Sequence, residues 1–390
     1  MPNSLKIALV GPYPREEGKI HGGVEAVLTY LADGLAARQG VEVHVVTAVS
    51  GLAAPTVSTN AAGVHTHRVP KHDRFGAMTG FAADRAQIGA ALKQISPDIV
   101  NVHTQTMYPH AALERGYPSV LTIHGVYFRE VRLLKGLSGR LRALPGCYYE
   151  RLAIKRARHI VICSDYLAQV YGKLLDRAKV RKIDNAIDAD FFAVPDREEP
   201  DAVLFLGVII ERKGVIHLMQ AAAKLRARGT KFRLWVVGPV GDPAYFQQVT
   251  QVIDDNGLAD CVEITGMVSQ EEVLARYARC AVVVLPSFEE TAPMVIAQAQ
   301  AAGRPLVASN SAGIPFMVTE GETGFLVPFG DADALADRIG RLLSDDETRH
   351  RMGCRAKEIA ETRFKWSIVV DKYLEVFEDV LADSSRIGGG

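Results

Sequence analysis

The sequence predicts two doubly wound α/β domains in succession. Three observations carry this. Short β-branched runs alternate with helical stretches along the whole chain. Those runs are almost continuously apolar, as in parallel strands covered by helices on both faces. The alternation occurs twice, on either side of FFAVPDREEPDAV (191–203), a polar, proline-bearing stretch. A length of 390 residues, 48% of them hydrophobic, suits two separate cores.

Strands are expected at KIALVG (6–11), VEVHVVT (41–47), IVNVH (99–103), SVLTIHG (119–125) and HIVICS (159–164) in the first half. In the second half they are expected at AVLFLG (202–207), RLWVVG (233–238), VEITG (262–266), AVVVLP (281–286) and PLVAS (305–309). Domains are therefore placed at 1–195 and 196–365. The helix WSIVVDKYLEVFEDVLAD (366–383) has apolar residues at helical spacing and is expected to cross back onto the first domain.

Lysine plus arginine (45) equal aspartate plus glutamate (45), so nothing in the net charge points to nucleic acid. Five scattered cysteines without a CxxC pair indicate a reducing compartment and buried thiols, not disulfides or a zinc site. The opening MPNSLKIALVGPYP has too short an apolar run for a signal peptide. No window nears the roughly 20 apolar residues of a membrane span. A cytoplasmic location is expected, including the inner face of the cytoplasmic membrane.

Ligands of open parallel sheets bind beyond the carboxyl ends of the strands. Gly22 and Gly23 precede a helix there, where backbone N–H groups and the helix terminus can meet a phosphate. Two adjacent glycines suit a plain turn equally well. His124 stands where a strand runs into a loop, a place for a structural histidine as well as a functional one. Arg212 and Lys213 sit at a strand-to-helix turn, where the helix dipole disfavours cations unless an anion binds. In PSFEETAPMVIAQAQAAG (286–303), Pro293 fits the first turn of a helix. The free N–H groups of Met294 and Val295 then face whatever precedes that helix, and Glu290 faces a polar ligand group. Ala297, Ala299, Ala301 and Ala302 let the helix pack closely beneath a ligand. His65, His67 and His72 lack a second cluster that would complete a metal site.

HGGVEAV, LTIHG, NAIDADFF, GVIIERKG and EETAPMVIAQ, in this order, resemble glycosyltransferase family 4, retaining enzymes of the GT-B architecture. The resemblance runs over nearly the whole chain. It implies two Rossmann-like domains facing across a cleft and a nucleotide-sugar donor, UDP- or GDP-linked, with no cofactor and no metal. It places Gly22 and Gly23 beside the donor diphosphate and His124 beside the transferred sugar. Lys213, helped by Arg212, neutralises the diphosphate, and Glu290 and Thr291 touch the sugar. Met267 and Val268 flank the base. Three positions depart from the family pattern: Val208 replaces an arginine, Pro293 a glycine, and Gln298 the carboxylate that receives the ribose hydroxyls. An amide in that place weakens the contact by about 1 kcal/mol, so an active enzyme is expected.

The implied chemistry is same-face transfer with retention, the leaving phosphate helping to deprotonate the acceptor. Basic residues interleave with leucines and tyrosines between Arg129 and Arg158: Arg132, Lys135, Arg140, Arg142, Arg151, Lys155 and Arg156. A solvated helix face explains such a run, and so does docking on anionic lipid. With the family, it points to a lipid-linked saccharide acceptor and cell-surface polysaccharide synthesis. The rivals are a sugar-nucleotide epimerase of the same fold, which fits EETAPMV less well, and a degenerate transferase serving as a saccharide-binding or assembly partner. A nicotinamide dehydrogenase would need GxGxxG after a strand, and GPYPREEGKIHGG has the wrong spacing.

Overall fold

The computed structural model describes residues 4–16, 20, 22–72, 76, 79–133 and 136–388. The chain divides into two compact units, 1–186 with 366–390, and 187–365.

In the first unit the strands are β1 (Leu5–Val10), β2 (Val41–Ser50), β3 (Thr56–Thr59), β4 (His65–Lys71), β5 (Ile99–His103), β6 (Ser119–Ile123), β7 (His159–Ile162) and β8 (Lys179–Lys182). They form one sheet in the order β3-β4-β2-β1-β5-β6-β7-β8, parallel except for β3. The chain works outward from β1 to β4, then returns to β5 on the other side of β1. The order therefore reverses between β1 and β5, which opens a crevice at their carboxyl ends. The helix Gly23–Ala36 packs under the sheet with Trp366–Gly388, the chain's last helix. Gly34 permits this close approach, since a Cβ there would lie 2.7 Å from Val370.

The second unit adds β9 (Ala202–Leu206), β10 (Arg233–Val237), β11 (Val262–Gly266), β12 (Val282–Leu285), β13 (Leu306–Ser309) and β14 (Gly324–Val327). Their order is β11-β10-β9-β12-β13-β14, all parallel, and the reversal falls between β9 and β12. Apolar clusters cover both faces of this sheet.

Several expectations need correction. The boundary lies at 186/187, nine residues before the expected 195/196, because Ile187 and Phe191 pack into the second unit's core. Strands β3, β4, β8 and β14 were not foreseen: β3 and β8 are short and largely polar, so they lack the apolar signature. Of the five unpaired cysteines only Cys163 and Cys280 are buried, and Cys354 is exposed. Pro293 stands just before its helix as the N-cap; the helix is Met294–Ala301. Its alanines 297, 299 and 301 are core residues against β12 and β13, so they serve packing within the unit.

Candidate functional site

Each unit gathers polar side chains at its own order reversal. In the second unit the short turn Glu211–Lys213 follows β9, and residues 286–293 follow its neighbour β12. Adjacent strands bring together residues 77 apart in sequence: Lys213 Nζ lies 2.5 Å from Glu290 Oε1. The two side chains are 14% and 11% exposed, so this is a largely desolvated ion pair. Arg212 Nη1 donates to the Glu289 carbonyl at 2.5 Å and stands 3.5 Å from Glu290 Oε1. The backbone of Glu290 is held as well, its carbonyl accepting from Gly313 N–H at 2.7 Å. Only glycine fits at 313, where a Cβ would sit 1.8 Å from the Thr291 carbonyl oxygen. Gly214, with φ +67, is required beside Lys213, since a Cβ would meet the Pro286 carbonyl at 2.1 Å. Ala312 next door has φ +50 without being glycine, a strained backbone at the site's edge.

Ile296 N–H bonds to the Pro293 carbonyl at 3.1 Å, which leaves Met294 and Val295 as the helix's forward amides. Gln298 lies on the same helix, and its Oε1 accepts from the buried Tyr277 hydroxyl at 3.2 Å. Tyr277 lies 21 residues upstream, and nothing local in the sequence signals that contact. Met267 is exposed after β11, whereas Val268 packs against the core. Val208 is exposed.

In the first unit a cavity of about 560 Å³ opens at the reversal, lined by Tyr13, Glu25, Tyr108, His124, Tyr127 and Glu130 among others. Every lining residue belongs to this unit. Gly22 caps and Gly23 begins the first helix, both exposed. Gly22 has extended backbone, and a Cβ there would meet nothing within 4 Å, so the chain's own packing does not demand glycine. Thr104, on the cavity wall, has φ +79, an unfavourable backbone for a β-branched residue.

Burial pushes the His124 imidazole down to about 4, with Asn185 beside the ring opposing the shift. His103, fully buried, is also held well below its ordinary value, chiefly by burial and secondarily by His124. Glu150 is buried beneath the same loops. Its carboxylate accepts from Tyr127 N–H at 2.7 Å, Phe128 N–H at 3.2 Å and the Tyr171 hydroxyl at 2.7 Å. The helix start at Tyr127 is thus occupied by an internal carboxylate. Burial raises the Glu150 pKa, and these donors oppose the rise. Sequence reading missed Asn101, His103 and Glu150. A signal existed for the first two, since polar residues alternating within a strand buried on both faces must be satisfied by one another.

The basic stretch forms Tyr127–Leu133 and Leu137–Arg156. Leu141 (56% exposed), Leu144 (54%) and Tyr148 (63%) share one side of the longer helix at i, i+3, i+7. Arg140, Arg142, Arg151, Lys155 and Arg156 are exposed around them. Arg129 instead donates to the Tyr166 hydroxyl at 2.6 Å. Lys135 lies outside the described residues.

His65, His67 and His72 each have other partners. His67 Nε2 and His44 Nδ1 are 3.0 Å apart, His65 bonds Thr59, and His72 pairs with Asp84 at 3.5 Å. Among the described residues no group of three His, Cys, Asp or Glu side chains could hold a metal ion. Asp188 caps its own turn and accepts from Gln270 at 2.8 Å. No described helix is long and apolar enough to cross a membrane.

Two parallel-sheet units with polar sites at their order reversals have the fold of the GT-B glycosyltransferases. Sucrose-phosphate synthase from Thermosynechococcus elongatus superposes with TM-score 0.82 at 21% identity, over 97% of this chain and 99% of that one. HepE from Anabaena, solved in complex with UDP and glucose, gives TM-score 0.71 at 19% identity over 96% and 99%. Residues 21–191 match the model of glycosyltransferase family 4, and 186–359 that of glycosyl transferases group 1. The chain belongs to glycosyltransferase family 4. A D-inositol 3-phosphate glycosyltransferase of Corynebacterium glutamicum is 34% identical over 48% of this chain and 45% of its own. The matched region spans 45% and 42% of the length of two such relatives and 63% of an alpha-D-kanosaminyltransferase of Streptomyces kanamyceticus.

Proposed function

We propose that this chain transfers a sugar from a UDP- or GDP-linked donor to a saccharide acceptor, with retention of configuration and no metal. The observation that carries the reading is the Lys213–Glu290 pair at the order reversal of a parallel sheet, beside the Met294 and Val295 amides. Glycosyl–phosphate cleavage develops negative charge on the diphosphate. A lysine and helix amides in a largely water-free site stabilise it far better than water would. Within the second unit Glu290 orients a sugar hydroxyl, and within the first His124 offers a hydroxyl contact of its own. The UDP and glucose held by HepE, a protein of the same fold, support the donor class.

A thermal-shift screen of UDP- and GDP-sugars tests this. A true donor should raise the melting temperature, increasingly so with its concentration, and the donor that does so should be turned over when saccharide acceptors are added. Shifts without any hydrolysis or transfer would favour the alternative, a non-catalytic saccharide-binding or assembly partner.

The acceptor is assigned as lipid-linked, in cell-surface polysaccharide synthesis at the inner face of the cytoplasmic membrane. The exposed Leu141–Leu144–Tyr148 stripe, flanked by arginines, supports this. Each cation near an anionic surface contributes about 1 kcal/mol. The protein should float with anionic vesicles, should be released by salt, and should lose binding on joint Leu141→Ser and Leu144→Ser substitution. Equal behaviour with neutral and anionic vesicles would remove the assignment.

A further inference from the structure

Beneath His124 runs a chain of buried polar groups on β5 and β6. His103 Nδ1 lies 2.8 Å from His124 Nε2, and the rings stack with centroids 5.0 Å apart. His103 Nε2 lies 2.8 Å from Asn101 Oδ1. Asn101 Nδ2 in turn donates to Thr122 Oγ1 at 2.8 Å and to the Val120 carbonyl at 3.3 Å.

These contacts determine where each proton sits. The Val120 carbonyl can only accept, so the NH₂ of Asn101 faces it and Oδ1 faces His103. Oδ1 can only accept, so His103 Nε2 carries hydrogen. Burial keeps both rings neutral at pH 7, which allows one N–H each. His103 Nδ1 is therefore a lone pair, and His124 must donate to it through Nε2. What remains on His124 is Nδ1, buried and making no hydrogen bond of its own to the described residues, with the Asn185 side chain close to the ring. Glu42, His44 and His67 repeat the arrangement on β2 and β4, Glu42 Oε1 standing 2.8 Å from His44 Nε2.

We propose that Asn101 and His103 are positioning residues that hold the His124 proton on Nε2 and so reserve Nδ1 as an acceptor for a ligand hydroxyl. Only the last step, the hydroxyl, rests on the saccharide-binding reading above. A donor tautomer at the same place would favour anionic groups; an acceptor selects hydroxyls. The orienting partner, not the ring itself, sets which nitrogen is protonated.

Long-range proton–nitrogen correlation spectra of the full chain, labelled with ¹⁵N-histidine at pH 7, test the relay directly. His124→Gln identifies the resonances of that ring. The wild type should show the Nε2–H form at His124. Asn101→Leu removes the acceptor and should yield a mixed or Nδ1–H form. Asn101→Asp should draw a second proton onto His103 and reverse His124 outright. Turnover should fall at least about tenfold in either variant, as for other misplaced tautomers. Circular dichroism confirms that the variant measured is folded, and either variant suffices. A merely structural role would lower stability and leave the tautomer unchanged, and that outcome overturns the relay. A reversed tautomer with unchanged turnover overturns the hydroxyl contact. If no sugar nucleotide is turned over at all, the spectra still decide the relay, so the two failures are distinguishable.

Discussion

Lys213→Ala is expected to lower turnover by about 10²–10³-fold, equivalent to about 3–4 kcal/mol of transition-state stabilisation. Among the described residues the lysine is the cation nearest to Glu290, with Arg212 at 3.5 Å close behind it. Removing it has a second consequence. Glu290 is 11% exposed, and losing its partner leaves a poorly compensated carboxylate. Breaking such pairs costs up to about 3–5 kcal/mol of stability when they are fully buried, and less here. Two effects therefore share one substitution, and a pair of variants separates them. Lys213→Met with Glu290→Gln removes both charges together, so it should recover most of the lost stability while turnover stays low. Turnover measured with the donor identified by thermal shift, alongside the melting temperature, checks both. A folded Lys213→Ala protein with near wild-type turnover would remove the lysine from the chemistry.

Acidification from pH 6.5 to 4 should destabilise the fold by several kcal/mol. The driving groups are histidines buried as neutral rings. His67 and His124 are pushed down to about 4 from an ordinary 6.5, in both cases chiefly by burial. His103 and His44 are lowered for the same leading reason. In this window the unfolded chain takes up protons that the folded chain refuses, so stability falls as pH falls. It is fully present above pH 6.5 and is lost as pH falls through about 4. A depression of this size corresponds to about 3 kcal/mol at most for His124, and to less for His67, against a total stability of about 5–15 kcal/mol. The geometry gives the same sign: His67 and His124 each donate to a neighbouring lone pair, and a proton on that lone pair destroys the bond. Urea midpoints at pH 7, 5.5 and 4.5 should decline steeply, and His67→Gln should flatten the slope if it folds. A constant midpoint from pH 6.5 to 4.5 would contradict the prediction.

The fold class was legible because its signal is local. AVLFLG, RLWVVG and AVVVLP announce themselves as strands buried on both faces, and polar turns separate them. The candidate residues near strand ends were legible for a similar reason: Lys213 and Glu290 each break a local rule, a cation at a helix start and paired carboxylates on a turn. The largely polar β3 and β8 were illegible, because pairing with a neighbouring strand, not their own composition, makes them strands. The boundary was misplaced for the converse reason. The stretch 191–203 looks like linker, yet Phe191 within it and Ile187 before it are buried core.

By itself, then, the amino-acid order determined the class of fold, its two successive doubly wound domains and the residues whose chemistry is out of place in them. Those properties follow from periodicity, turn chemistry and helix electrostatics, all of which act over a few residues. Tertiary structure alone decided that Lys213 closes on Glu290, that Tyr277 holds the Gln298 carbonyl, and that Asn101 orients His124 through His103. Each is a hydrogen bond between groups brought together by strand order or helix packing. A polar atom shut away from water takes whichever partner the fold delivers.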